Sequence, residues 1–471
     1  MTQTELPAQL LPKLLAMRDD AVAREDAQAY LAALDAIRLA RVPGQIDHCL
    51  PNEFYGPKLR AAGVSRGADI RSMDDFRRLP ALMTKAEHRE SQQASLEKYG
   101  HSFGLHLCAP KEAIVHVAGT SGTTGMPTFY LFSRRDLDLT YKVVGRMLKK
   151  AGVRPGDTAL HLFGLSMWLG GTTFMQSLEA YGAHPIPLGA EAGVSRALQY
   201  LAACRPRILC GTPSFLSYLI DRAPEELGRP ASEFGVEIVF SGGEPGPAIP
   251  PVRRKLQEGF GATLYDTMLG GWHNAALECG GDHHNGLHFL ADEYCFRYDL
   301  VDPATRAPIA LEDGATGEAI HSGLYYEAGP GLRYATGDMI TLHVGTCPHC
   351  GEFGTRYSVQ GRADDLLNVR GVKIFPSAIK EVVEGLRPRT NGQLEIVLDA
   401  PPPRVVPPVA VTVEAGDGVS PDAFDALAAE IEGRLKDRLR IPAKVTILPG
   451  GTIPRSSHKT KLVRVRDGVT G

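Results

Sequence analysis

Several features that would place a protein quickly are missing from this sequence. It holds two tryptophans in 471 residues, and aromatics make up 7% of it. No apolar run approaches the ~18 residues a bilayer-crossing helix needs. A positive excess is absent too: 51 Lys and Arg stand against 54 Asp and Glu, a net charge of −3. That leaves no basic face for nucleic acid and no polybasic signal for a membrane surface. The first thirty residues lack the apolar core of a signal peptide and are salted with acids, so they read as an amphipathic helix. Eight cysteines, irregularly spaced, do not make a disulfide framework. Reduced thiols or a metal site are expected instead, in a cytoplasmic protein.

What is present is an ordinary globular composition, 43% apolar and 22% charged, in a chain longer than one core usually fills. The first ~100 residues are helical in pattern, with breaks at VPGQ and LPALMTK. From about residue 113, β-rich runs alternate with helical stretches: AIVHVAG, DTALHLFG, AHPIPLG, PRILCGTPS, VEIVFSGGEPG and GATLYDTM. That alternation predicts parallel α/β construction. Residues 287–345 change to short strands and turns, a small antiparallel sheet. After GRADD a compact α+β tail begins, with strands at LEIVLDA, PVAVTVEA and AKVTILPG. Between the last two, Phe424, Leu427, Ala428, Ile431 and Leu435 trace one helical face. Ser420, followed by Pro421 and Asp422, is its expected start signal.

From Gly119 to Gly125 every residue is Gly, Ser or Thr. Such a loop after a strand offers unhindered N–H groups and hydroxyls to an anion, usually phosphate. The spacing is neither the P-loop nor the dinucleotide fingerprint, because Met126 follows the last glycine. On this stretch alone, a plain surface loop fits equally well.

Five segments in order resemble the motifs of adenylate-forming enzymes, the group of acyl-CoA synthetases, adenylation domains and luciferases. They are AGTSGTTGMPT, SGGEPG, YATGD, GRADDLLNVRGVKIFPSAIKEV and PRSSHKTKLVRV. The chain is most similar to the phenylacetate–CoA ligase family, through YGPKLRAAGVSRGADIRSMDDFRRLPALMTKAEHRE and FPSAIKEV. The resemblance runs from about residue 50 to 465.

It implies an α/β fold. A large N-terminal ATP- and acyl-binding domain, residues 1–363, would have parallel α/β sheets plus a small antiparallel β subdomain. A small mobile α+β domain, residues 364–471, would follow. Thr120, Ser121, Gly122, Thr123, Thr124 and Gly125 would wrap the β- and γ-phosphates of ATP. Gly243, Glu244 and Pro245 would flank adenine and the acyl group, with Tyr265 also at the nucleotide. Asp338 would accept hydrogen bonds from the ribose hydroxyls, Arg362 would contact ribose or phosphate, and Asp364 would be the pivot between domains. Lys459 would meet the acyl carboxylate and the α-phosphate, with Lys461 as its rival.

Two departures from the family pattern stand out. Met126 occupies the usual place of a phosphate-loop lysine. Leu269, four residues after Tyr265, occupies that of a glutamate that helps to hold Mg²⁺. CPHC has the C-x₂-C spacing of a zinc knuckle. Relatives implied by the resemblance carry matching positions at Cys279, His288, Cys347 and Cys350, a closed structural Zn²⁺ site. The alternative is four reduced side chains packed together, with His283, His284 and His349 as competing ligands and Cys295 in the core. Phe163, Met167, Trp168, Gly170 and Gly171 would shape a flat apolar slot for an aromatic acid, although Met and aromatic residues in such a stretch are more often plain core.

The function implied is an ATP-dependent ligase for an arylacetate-like acid. It would form an acyl-adenylate, release pyrophosphate, then pass the acyl group to coenzyme A with loss of AMP. A positioned cation set and Mg²⁺ would serve this chemistry, and no covalent enzyme nucleophile is needed. Two alternatives stay open: an adenylating enzyme serving a carrier protein or an amine, and a nucleotide-binding protein that has lost catalysis. The expected partners are small molecules, with neither nucleic acid nor membrane, and a homodimer is left open.

Overall fold

The computed structural model describes Leu10, Pro12 and residues 26–120, 127–454 and 462–466. From residue 27 the chain is helical as patterned, and the amphipathic helix expected of the first thirty residues falls mostly outside the described residues. Helices Ala27–Leu39 and Val42–Cys49 meet at Ala40 and Arg41. Pro43 sits in the first turn of the second, where a missing N–H costs nothing. The LPALMTK break separates helices Met73–Arg78 and Lys85–Tyr99. Thr84 opens the latter by accepting from the Glu87 N–H at 3.2 Å, and the Glu87 carboxylate accepts from the Thr84 N–H at 2.8 Å, a reciprocal cap.

The run AIVHVAG is a strand, β1 (Ile114–Gly119), but it does not join the parallel series. It pairs antiparallel with β2 (Phe129–Ser133), Gly119 opposite Phe129. A parallel neighbour needs a crossover of a dozen or more residues, and residues 120–128 are too few to provide one. The parallel strands are β3 (Thr158–His161), β4 (His184–Pro187), β5 (Ile208–Gly211), β6 (Ile238–Gly242) and β7 (Thr263–Leu269), in spatial order β7-β6-β5-β3-β4. β5 and β6 are buried at every position, as strands covered on both faces should be.

The antiparallel strands are present, and they continue the parallel sheet rather than standing apart. β7 turns through residues 270–274, where Trp272 and His273 take φ of 60° and 63°, and returns as β8 (Ala275–Leu277). The strands β9 (Leu287–Phe289), β10 (Cys295–Val301), β11 (Pro308–Ile309), β12 (Thr316–Gly323), β13 (Tyr334–Thr346) and β14 (Phe353–Arg362) complete a twelve-stranded sheet. Its order is β11-β10-β12-β13-β14-β9-β8-β7-β6-β5-β3-β4. The principal core lies on this sheet and contains Phe163, Phe174, Phe240, Tyr298 and Tyr357.

In the tail, residues from Leu367 to Ile447 bury an apolar cluster of their own. Its sheet orders Ala443–Leu448, Val409–Ala415, Thr390–Leu398 and Val463–Val465. The tail helix starts at Phe424 rather than after Ser420. Pro421–Ala423 forms a 3₁₀ turn, Ser420 makes no side-chain cap, and Ala423 precedes the α-helix. Its buried stripe is Leu427, Ile431 and Leu435, while Phe424 and Ala428 are half-buried. Among the described residues no helix is long and apolar enough to cross a membrane.

Candidate functional site

β13 and β14 place Asp338 directly opposite Arg362. The carboxylate is held from two sides. Arg362 Nη1 donates to Asp338 Oδ1 at 3.2 Å, and Arg297 on β10 donates to Oδ2. Arg362 is itself gripped by Asp364, Nε to Oδ1 at 2.7 Å and Nη2 to Oδ2 at 3.0 Å, the fork geometry that orients a guanidinium. Gly337, at φ +74°, leaves room for it: a Cβ there would lie 2.5 Å from Arg362 Nη2. Burial works against the Arg297 charge, and the Asp338 carboxylate more than offsets it.

A third cation approaches from the helix Lys85–Tyr99. Leu82 N–H donates to Arg333 O at 3.0 Å, and Met83 O accepts from Ala335 N–H at 2.9 Å, so the segment leading to Lys85 runs along the start of β13. Burial first, then repulsion from Arg362 and Arg89, lowers the Lys85 pKa. Lys85, Arg89, Arg297 and Arg362 thus outnumber Asp338 and Asp364. Cations gathered in a partly desolvated place favour an anionic ligand. Arg297 is in no recognisable motif, and Lys85, within the segment YGPKLRAAGVSRGADIRSMDDFRRLPALMTKAEHRE, carries no mark of its own; only the fold brings them here.

β6 ends in the loop holding Gly243, Glu244 and Pro245. A Cβ on Gly242 would sit 2.3 Å from Thr267 O, and one on Gly243 (φ +89°) would be 2.8 Å from the Trp168 ring. The loop therefore packs against β7 on one side and the apolar segment on the other. Glu244 Oε1 accepts from the Ser214 N–H at 2.8 Å at the start of helix Pro213–Leu227, satisfying one of its free donors. The fully buried Arg253 donates to Pro247 O at 3.3 Å, to Gly281 O at 2.8 Å and to Glu278 Oε2 at 2.8 Å. It ties this loop to the segment that carries Cys279.

Of the residues expected to shape an acyl slot, Trp168 has the most telling position. Its ring covers Gly170, where a Cβ would lie 2.6 Å away, as well as Gly243. Phe163 meets it edge-on at 5.2 Å but belongs to the main core. Gly171 sits under Gly164 O, Met167 is 44% exposed, and its carbonyl accepts from the Gly119 N–H. Residues Leu169–Thr173 form one π-helical turn, a distortion frequent at functional sites.

Thr120 pairs with Thr128 twice, N–H to carbonyl at 3.1 Å and hydroxyl to hydroxyl at 2.8 Å. Ser121, Gly122, Thr123, Thr124, Gly125 and Met126 lie outside the described residues, as do Lys459 and Lys461. The Tyr265 ring packs on Phe240 at 5.8 Å and against Gly280, and burial raises its pKa. Leu269 pairs with Ala275 at the end of β7 and packs partly buried beside Trp272 and Tyr130.

Cys279, His288, Cys347 and Cys350 converge, with their ligand atoms all within 4.8 Å of one another. Cys279 Sγ lies 3.6 Å from Cys347 Sγ, and Cys350 Sγ lies 3.6 Å from His288 Nε2. Tetrahedral zinc with ~2.3 Å bonds to sulfur separates its ligands by about 3.7 Å, so the donor set fits. Glu352 stands 3.8 Å from His288 Nδ1 and is paired with Lys150. An acceptor there would orient the imidazole so that Nε2 faces a metal. His284 is engaged by Asp266 at 3.0 Å, His283 is exposed and His349 packs on Gly281. Cys295 is fully buried in the core.

Residues 371–468 match the AMP-binding enzyme C-terminal domain. The phenylacetate–coenzyme A ligase of Thermus thermophilus is 30% identical over 457 residues, covering 93% of this chain and 96% of that protein. Crystal structures of 2-hydroxyisobutyryl-CoA ligase share the fold. In the postadenylation state with R3-HIB-AMP the TM-score is 0.82 at 25% identity, covering 94% of this chain and 91% of the other. In the thioesterification state with 2-HIB-AMP and CoA it is 0.65 at 27% identity, covering 92% and 90%.

Proposed function

The chain belongs to the phenylacetate–coenzyme A ligase family, and from that premise we infer that it is an AMP-forming ligase joining an arylacetate-like acid to CoA. A carboxylate oxygen attacks the α-phosphorus of ATP, and the bond to the bridging oxygen breaks to release pyrophosphate. The sulfur of CoA, its proton lost to solvent, then attacks the acyl carbon and expels AMP. The observation that carries this reading is the Asp338 carboxylate, presented at the β13–β14 end by Arg297 and Arg362.

In this reading Asp338 accepts from the ribose hydroxyls. Arg362, released from part of its present grip, turns to the nucleotide. Lys85 and Arg89 supply positive charge that Met126 does not. The loop of Gly243, Glu244 and Pro245 lines the adenine and acyl groups, and Trp168 forms one wall of the aryl slot. Thr120 to Gly125 wrap the polyphosphate, and Lys459 meets the acyl carboxylate and the α-phosphate. The domain boundary falls at the pivot Asp364; support comes from the separate apolar cluster beginning at Leu367.

Cys279, His288, Cys347 and Cys350 would hold Zn²⁺, which would supply cross-linking of β8, β9 and the β13–β14 turn rather than chemistry. For Mg²⁺ the described residues do not assemble a comparable ligand set: Leu269 offers no oxygen, and the cysteine cluster is the one potential metal group found among them. Mg²⁺ would arrive as the ATP complex, with water and phosphate as its ligands. Localisation in the cytoplasm is consistent with eight free cysteines.

The test is AMP release across a panel of aromatic and aliphatic acids, with and without CoA, and pyrophosphate exchange beside it. A CoA ligase gives arylacetate-dependent exchange and AMP release that needs free CoA. Exchange with CoA-independent turnover on a carrier protein or amine would point to a different acceptor. Loss of both would mark a protein that only binds nucleotide.

A further inference from the structure

The loop after β6 is hydrogen-bonded at three successive places. Two tethers come from the same large domain: Glu244 holds the Ser214 N–H, and Arg253 holds Pro247 O. The third crosses from the tail. Lys380, on the helix Pro376–Glu384, donates from Nζ to Pro245 O at 3.2 Å. That helix lies against Pro250–Phe260, the helix that carries Arg253, and Lys380 is only 7% exposed. Phe375, just before the helix Pro376–Glu384, rests its ring over Gly361, where a Cβ would lie 2.4 Å away.

A lysine is seldom buried on one carbonyl without cause, because its ammonium gives up most of its water for a single acceptor. Such a contact biases the tail by about tenfold toward the arrangement that makes it, and it has a strict geometric requirement. The tail must sit in one position for the Nζ to reach Pro245 O, and any rotation returns the ammonium to solvent. The present arrangement resembles the postadenylation state of 2-hydroxyisobutyryl-CoA ligase at a TM-score of 0.82, against 0.65 for its thioesterification state at nearly equal coverage.

We propose that Lys380 is a positioning residue for the first half-reaction, registering the tail domain on the nucleotide loop through Pro245 O. This rests on the adenylating function inferred above. While the contact is made, the loop carrying Gly243 and Pro245 is fixed from the tail side as well as from within its own domain. When the tail turns for thioester formation, the contact breaks and the loop is relieved of that constraint. Lys380 touches no reacting atom; it acts by holding the loop that does.

The experiment separates the half-reactions, with phenylacetate as the probe acid. Lys380→Met keeps the apolar stem and removes the donor. It should lower phenylacetate-dependent pyrophosphate exchange by about tenfold, the scale of one charged hydrogen bond, chiefly by raising KM for ATP. CoA-dependent consumption of pre-formed phenylacetyl-adenylate should be unchanged or faster, and Lys380→Arg should restore exchange. Small-angle scattering of the ligand-free protein gives a readout independent of turnover: the Met variant should be less compact than wild type, and the Arg variant should match it. Equal losses in both half-reactions, or unaltered exchange together with an unaltered scattering profile, overturns the proposal. Wild-type protein without exchange on any acid overturns the ligase reading instead, and the scattering comparison still decides whether Lys380 registers the tail.

Discussion

Asp338 and Arg362 face each other across β13 and β14, joined at 3.2 Å, while Arg297 takes the second oxygen of the same carboxylate. In the proposed mechanism Asp338 thus serves two purposes, as the ribose acceptor and as the counter-charge of the buried Arg297. Asp338→Asn should raise KM for ATP by ~10-fold or more through weakened acceptors. It should also destabilise the protein by about 3 kcal/mol, because Arg297 loses its charged partner. ATP titrations and thermal melts measure the two effects. A change in KM without a fall in Tm would mean that Arg297 finds another partner.

Lys459 lies outside the described residues, but its role in the proposed mechanism is specific. Lys459→Ala should slow adenylation by ~10³-fold or more, about 4 kcal/mol of transition-state stabilisation. Thioester formation from pre-made acyl-adenylate should survive, since that step uses another tail orientation. A parallel fall in both rates would move the assignment to another residue, Lys461 first.

The cysteine cluster predicts about one zinc per chain by elemental analysis. Cys347→Ser should remove the metal and lower the melting temperature without selecting one half-reaction. Glu352→Gln should weaken zinc affinity by about tenfold or more, because His288 Nδ1 loses its carboxylate. Protein free of metal and equally stable would eliminate the site.

Three buried imidazoles make a prediction about acid. Burial lowers His88 and His161 to about 4 and His273 to about 3. In the unfolded chain the same groups take up protons near pH 6.5. Between pH 6.5 and about 4 the unfolded state therefore binds more protons, and stability falls as pH is lowered through that window. Urea midpoints at pH 7.5, 6 and 5 should decline in that order. His161→Gln should flatten the slope if the variant folds, and a flat wild-type profile would contradict the burial of these rings as neutral species.

Much of the architecture was legible because its signals are local. The break at LPALMTK, the parallel runs and the stripe Leu427–Ile431–Leu435 depend on spacings of a few residues. The cysteine cluster was expected as well, although its members span residues 279 to 350: CPHC has a recognisable spacing, and the family resemblance implied Cys279 and His288. What could not be read depends on distant partners. Arg297 lies 41 residues from Asp338, and nothing in CFRYDLV marks it. Lys150 is 202 residues from Glu352. Ser420 looked like a helix cap, but a 3₁₀ turn intervenes. AIVHVAG looked like the first parallel strand, yet Phe129–Ser133 follows too closely to allow anything but a hairpin.

The scarcity of tryptophan makes the protein its own optical probe. Trp272 is 5% exposed, stacked on His321 at 5.2 Å, with its indole N–H on Gly329 O. Its emission should be blue, partly quenched by the ring beside it, and insensitive to ligands. Trp168 is partly exposed and lies over Gly243, so its emission should shift when an adenylate fills the slot. With only two tryptophans in the chain, Trp272→Phe leaves a single indole, excitable at wavelengths too long for tyrosine, at the mouth of the proposed acyl site. Occupancy could then be followed in real time without a dye, a label or a coupled enzyme.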